Sequence, residues 1–161
     1  MKNIFHIYST FFLLTAFNLR AQSSFDDTLQ PHQIQYYAAC KLIDSLKYKE
    51  GIEVLKKALK IKPDYWEALN KIGFAKIKLE DFKGAEKELA KAEKISPMNY
   101  ETEKLRGINY YHLERYKESK EELDTALYIN NDEKLDDIEL FYYRALLQYR
   151  GHAYKAAIGS L

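Results

Sequence analysis

The chain has 161 residues, enough for one domain with a sizeable core. Hydrophobic residues make up 47% and charged ones 30%, with 25 basic against 24 acidic, which excludes a disordered polyelectrolyte and leaves no basic surplus for nucleic acid. Six glycines, three prolines and a single cysteine, Cys40, favour helices over a many-turned β fold and allow no intramolecular disulfide.

The first 21 residues read as a targeting segment. Lys2 supplies a short positive start, "FFLLTAFNL" an apolar centre, and Ala21 a small residue at which a signal peptidase cuts. The apolar stretch, residues 4–19, is 16 long and contains His6 and Asn18, whereas spanning a bilayer takes about 20 apolar residues. The expectation is a cleaved signal peptide over residues 1–21 and an exported protein, periplasmic or associated with the cell envelope. An uncleaved anchor is the alternative, and only then does the protein touch a membrane. Without Lys2 and Arg20, 23 basic residues face 24 acidic ones, a net charge of −1. Residues 22–31 read as a linker.

From about residue 32 the chain repeats itself at a thirty-four-residue interval: "YKEGIEVLKKALKIKP" returns as "FKGAEKELAKAEKISP". With Pro63 and Pro97 set at position 32, position 8 holds Ala39, Gly73 and Gly107, position 20 holds Gly51, Ala85 and Ser119, and position 27 holds Ala58, Ala92 and Ala126. All are small. Position 24 is leucine (Leu55, Leu89, Leu123) and position 17 aromatic (Tyr48, Phe82, Tyr116). A fourth copy follows once four extra residues are admitted around "NNDEKL", with Ala145, Tyr154, Ala157 and Leu161 at positions 8, 17, 20 and 24.

Each copy predicts a helical hairpin. Apolar residues in "ALNKIGFAKIKL" and in "FKGAEKELAKA" recur at helical spacing, with "EDF" as the turn between them. Small residues at positions 8 and 20 let two backbones approach, while the leucine and the aromatic fill the seam. Proline at position 32 ends the second helix, and Asp64 or Asn99 is placed to cap the next, Asp64 with Glu67 as a capping-box-like pair. One hairpin cannot bury its own apolar face, so the copies must stack.

These residues resemble the tetratricopeptide repeat, a helix–turn–helix unit, over about residues 32–161. The resemblance implies an all-α fold, a right-handed α-α superhelix or solenoid of about four helical hairpins over residues 32–65, 66–99, 100–133 and 138–161, the last incomplete. Departures from the family pattern lie in the first helices. Position 4, usually aromatic, is Gln35, Leu69, Glu103 and Phe141; position 7, usually leucine, is Ala38, Ile72, Arg106 and Arg144. The two arginines are expected to lay their stems on the core and turn their heads to water. The last copy stops inside its second helix without a polar-faced cap, which suits a longer array.

No catalytic signature is found. After the first segment the histidines are His32, His112 and His152, none spaced from another imidazole or thiol in the zinc-site manner. Gly73 and Gly107 stand singly, with no phosphate loop or dinucleotide fingerprint around them. Glu118, Glu121, Glu122 and Asp124 alternate with Lys117 and Lys120 as on a solvated helix face, and Cys40 reads as a small, partly buried apolar residue. The expectation is a protein that is not an enzyme and uses no cofactor and no metal.

In tetratricopeptide proteins the first helices line a concave groove. Carried over residue by residue, the resemblance implies a partner-binding groove of Tyr36, Asn70, Phe74, Lys78, Lys104, Ile108, Tyr111, Tyr142 and Tyr149, with Cys40, Ile77, His112 and Arg150 beside them. Rigid aromatics give contact area at low entropic cost and polar neighbours set register, so the expected partner is a protein or peptide and not a nucleic acid. Tyr48, Tyr116 and Tyr154 are assigned to packing. The clamp by which co-chaperone domains hold a C-terminal carboxylate is not matched, since its places hold Tyr36, Cys40, Lys71, Glu101 and Leu105. The expected function is a non-catalytic interaction or scaffold module in the cell envelope. The alternative is the N-terminal sensory or regulatory part of a longer signalling or transcription-regulatory protein.

Overall fold

The structure, a computed structural model, describes residues 29–133 and 137–159. Within them the chain forms seven helices and no strand: α1 (Pro31–Asp44), α2 (Tyr48–Ile61), α3 (Trp66–Lys78), α4 (Phe82–Ile95), α5 (Tyr100–His112), α6 (Tyr116–Glu133) and α7 (Ile138–Gly159). The expected signal, residues 1–21, and the linker as far as residue 28 lie outside the described residues, and Pro31 already opens α1. Among the described residues no helix is long and apolar enough to cross a membrane.

Helices pair as successive hairpins, α1 with α2, α3 with α4 and α5 with α6, and each second helix packs on the first helix of the next pair. Successive first helices also touch, α1 to α3, α3 to α5 and α5 to α7, so they share one side of an all-α helical-repeat solenoid. Position 8 is what lets the pairs close. A Cβ on Gly73 would stand 2.6 Å from Leu89 Cδ2, and one on Gly107 2.6 Å from Leu123 Cδ2, so the position-24 leucine rests directly on glycine. Leu55, Leu89 and Leu123 are fully buried. Each contributes on the order of 2 kcal/mol. Two apolar clusters result, joined where Phe74 packs against both. The position-17 aromatics seal the steps between hairpins: Tyr48 meets Phe74, Phe82 stacks on His112 at 4.9 Å, and Tyr116 carries the Arg150 guanidinium 4.9 Å above its ring.

The turn inside each of these three hairpins is built the same way. Leu46, Glu80 and Glu114, all at position 15, have φ of 61°, 61° and 60°. Their amides donate to the carbonyls of Ile43, Ile77 and Tyr111, and the next amides donate further back, Lys47 to Leu42, Asp81 to Lys76 and Arg115 to Tyr110. This pair of bonds satisfies the last carbonyls of the first helix and requires a left-handed residue between them. Asp81 then caps α4, its Oδ1 accepting from Gly84 N at 3.0 Å. Asn99 caps α5 as the sequence predicts, accepting from Thr102 N at 3.2 Å. Asp64 does not cap α3. That helix starts behind Tyr65, whose ring is buried against His32 and Tyr36, and no side chain caps it.

The position-7 arginines turn to carboxylates, Arg144 at the surface and Arg106 largely away from water. Arg144 donates to Asp124 Oδ1 from Nε at 3.1 Å and Nη2 at 3.0 Å. Arg106 on α5 lies 2.7 Å from Glu93 of α4 and 2.7 Å from Glu122 of α6, with its side chain only 20% exposed. Little water reaches that guanidinium, so carboxylates must compensate its charge. Glu103, buried at position 4, completes the cluster 4.0 Å from Arg106. Burial, then the neighbouring Glu122 and Glu93, push its carboxyl up to about 9, so at neutral pH it is protonated.

The fourth copy departs from the pattern. Where a turn is expected at residues 151–153, α7 runs unbroken for 22 residues. No proline, asparagine or aspartate interrupts the stretch, and among the described residues no later helix lies against α7 to hold a left-handed turn in place. Gly151 is simply helical, with nothing within 4 Å of where its Cβ would stand. Helix α6, 18 residues against 14 for α2 and α4, takes up the four-residue insertion as an added helical turn. Leu161 lies outside the described residues.

Candidate interaction groove

Of the nine residues that the family resemblance places in the groove, three are inside the protein. Asn70, 3% exposed, donates from Nδ2 to Thr102 Oγ1 at 2.9 Å across the α3–α5 seam. Lys104, buried, donates to Asp137 Oδ2 at 2.9 Å and lies 3.0 Å from Glu101. Burial opposes the charge on Lys104, but Glu101 and Asp137 outweigh it and raise its pKa. Asp137 accepts also from the Tyr100 hydroxyl at 2.7 Å. Against its own burial, the Lys104 bond and these neighbours hold Asp137 down to about 2. Ile108 is core. These three side chains stitch first helices together and are spent on doing so.

The other six reach the surface. Tyr36 is half-buried between Tyr37 and Tyr65, with ring centroids 5.7 and 5.3 Å away, and burial, with Cys40 adding, raises its hydroxyl pKa. Burial likewise pushes the Cys40 thiol up, which leaves a protonated, weakly polar side chain. Phe74 carries two ammonium groups over its ring, Lys71 Nζ at 5.7 Å and Lys78 Nζ at 5.1 Å, and Lys78 also lies 3.6 Å from Glu139 of α7. Tyr111 accepts from Arg150 Nε at 3.1 Å and meets Tyr143 at 5.3 Å. Tyr142 is 58% exposed beside Tyr143. Tyr149 is 73% exposed for a different reason: it stands at position 12, where Ile43 and Ile77 are buried and Tyr111 is half-buried, and among the described residues no following helix covers it.

Two further residues belong to this surface and were not singled out from the sequence. Tyr37 is 45% exposed next to Tyr36, and Tyr143 places its hydroxyl 2.9 Å from His112 Nε2. Burial, then Lys78, lower the His112 pKa, so at neutral pH it is an uncharged ring lying flat on Phe82. A run of two tyrosines on one helix was the available signal for Tyr143. Which of the pair turns toward α5 depends on a contact thirty-one residues away in sequence.

The face therefore offers rings in steps from α1 to α7, with cations lying over several of them and carboxylates at the edges. Among the described residues no three His, Cys, Asp or Glu side chains gather as a metal site.

Comparison with solved structures shows the fold. The TPR (tetratricopeptide repeat) domain of Sgt2 from Aspergillus fumigatus matches with a TM-score of 0.71 at 14% identity, over 79% of this chain and 83% of that one. The first TPR of Spaghetti (RPAP3), bound to the HSP90 peptide SRMEEVD, matches with a TM-score of 0.68 at 17% identity, over 74% and 91%. The TPR2B domain of yeast Sti1, in a complex with pHsp70, matches with a TM-score of 0.69 at 13% identity, over 74% and 97%. No protein-family profile and no curated protein matches the chain.

Proposed function

We propose, on the premise that this chain has the tetratricopeptide-repeat fold, that it is a non-catalytic interaction module of the cell envelope which takes an extended or helical segment of a partner protein across α1, α3, α5 and α7. One observation carries the reading. Each first helix keeps an aromatic ring at the surface of the shared side, Tyr36, Phe74, Tyr111 and Tyr142 in turn. Tyr36, Phe74 and Tyr111 are only half-buried in the packing and Tyr142 is exposed, so each leaves ring area that the solenoid does not cover and that a partner can use. Domains of this fold that hold an HSP90 peptide or pHsp70 support the peptide class of ligand. The ligand differs in kind from a free C-terminal tail, because Glu101 puts a negative charge at a clamp place and its partner Lys104 is closed off by Asp137. An internal segment with apolar and aromatic side chains fits the ring-lined face better. Export rests on the N-terminal segment, a single lysine followed by an apolar stretch too short to span a bilayer.

The test is capture from an envelope extract, read by mass spectrometry, with Tyr111→Ala and Tyr142→Ala combined. Truncating a ring at the centre of an interface costs about 2 kcal/mol, so capture is lost while helical circular dichroism is retained. Capture unchanged by the pair sinks the groove reading. Loss of helicity shows that these rings are core.

A further inference from the structure

A cleft of about 400 Å3 opens between α2 and α4, on the side of the second helices and away from the ring-lined face. Leu69 of α3, 3% exposed, lies at its base, and Leu59, Pro63 and Ile95 form apolar walls. One step further along the repeat the same places are polar. Glu93, Glu103 and Glu122 stand for Leu59, Leu69 and Glu88, and Arg106 stands for Ile72. There the guanidinium lies between the carboxylates, 2.7 Å from both Glu93 and Glu122. Ile72 is buried and has no long head to reach outward, so the first step keeps an apolar hollow where the second holds an ion cluster.

Charge at the cleft is one-sided. Glu88 lines it, but both of its oxygens are engaged, Oε1 3.5 Å from Lys76 Nζ and Oε2 2.8 Å from Lys91 Nζ. Lys87, Lys91 and Lys94 follow at four- and three-residue spacing and share that side of α4. Among the described residues Lys87 and Lys94 make no ion pair. Size argues against a protein segment as the occupant: seven residues line the cleft, whereas a stable protein interface takes about 20–30 a side. Its volume falls instead among small-molecule sites, about 300–1,000 Å3.

We propose that this cleft binds a small amphiphilic carboxylate of the fatty-acid class. The acyl chain lies on Leu59, Leu69 and Ile95, and the carboxylate meets Lys94 at the rim, with Lys91 beside it. Burial of the chain supplies most of the affinity, and the amine, exposed to water, sets which end faces outward. The site is separate from the ring-lined face and does not depend on its role. Because the ligand touches both the first and the second hairpin, it also ties them together and raises the melting temperature.

The test adds decanoate to the full chain below its micelle concentration, read by methyl NMR and titration calorimetry. The methyls of Leu59, Leu69 and Ile95 are expected to shift to saturation, while those of Leu127 and Ile129, at the next step, stay in place. Octanoate, two methylenes shorter, binds about tenfold more weakly. Lys94→Glu changes an exposed side chain, so helical circular dichroism is kept, and it weakens decanoate about fivefold. Decyltrimethylammonium, with the same chain and a cationic head, binds the unmodified protein more weakly than decanoate and gains on Lys94→Glu. Leu69→Phe fills the base and removes the shifts; should that variant unfold, the octanoate and Lys94→Glu measurements still decide. Shifts centred on the ring-lined face, equal affinity for decanoate and octanoate, equal affinity for the two head groups, or decanoate binding unchanged by Lys94→Glu each overturns the proposal.

Discussion

A single methyl group added at Gly73 destabilises this protein, although alanine is the better helix former. In a helix interior alanine gains about 1 kcal/mol over glycine. At Gly73 the new Cβ would stand 2.6 Å from both Cγ and Cδ2 of Leu89, whose side chain is fully buried. Relief requires α3 and α4 to part, or Leu89 to leave its rotamer, at a cost of about 1–3 kcal/mol. The net expectation is a loss of about 1 kcal/mol, and the same for Gly107→Ala against Leu123. Gly151 supplies the control, since a Cβ there meets nothing within 4 Å and alanine brings only the helix gain. At roughly 4 °C per kcal/mol for a domain of this size, thermal unfolding followed by circular dichroism places Gly73→Ala about 4 °C below the unmodified protein and Gly151→Ala about 2–4 °C above it. Pairing Gly73→Ala with Leu89→Val recovers part of the loss. Should Gly73→Ala unfold at or above the temperature of the unmodified protein, position 8 does not limit helix approach and the account of the seam is wrong.

Two further expectations concern buried polar groups. Thr102→Val takes away the acceptor of the Asn70 amide while keeping the volume, and costs about 1–3 kcal/mol in urea unfolding; adding Asn70→Leu recovers most of it, and an additive double variant refutes the pairing. Glu103 titrates at about 9 in the fold against 4.5 for an ordinary glutamate, so the folded protein holds a proton that the unfolded chain releases above the lower value. Its contribution is complete below pH 4.5 and is lost as pH rises toward 9. Glu103→Gln keeps a donor and removes the titration, so its melting temperature declines less between pH 5 and 9; parallel curves for the two proteins refute the assignment.

The seam was legible because packing in a repeat is local and periodic. Ala39, Gly73 and Gly107 at position 8, and the leucines that rest on the two glycines, are bound to recur wherever two helices must approach closely. The polar pairs were not. Asn70 and Lys104 share position 5, which the family pattern turns toward a ligand, yet their partners Thr102 and Asp137 stand 32 and 33 residues away. No local spacing announces a hydrogen bond of that reach. The caps divide in the same manner. Asn99 caps α5 as its type predicts, but Asp64 yields to Tyr65, because burying a ring against α1 decides where α3 begins. The arginines at position 7 read as exposed heads, and became ion-paired only because carboxylates on α4 and α6 converge on one of them and a carboxylate on α6 receives the other.

By itself the sequence determined the class of architecture, the period, and which small and leucine side chains form the seam, since these depend on spacing along single helices and on volume. The tertiary structure alone decided which groove positions are surface and which are stitches. That outcome depends on groups brought together from separate repeats, and on whether a helix lies over them. It also decided the fate of the fourth copy. A pattern for a second helix is written there, but among the described residues no later helix lies against α7 to hold a left-handed turn, and α7 continues straight.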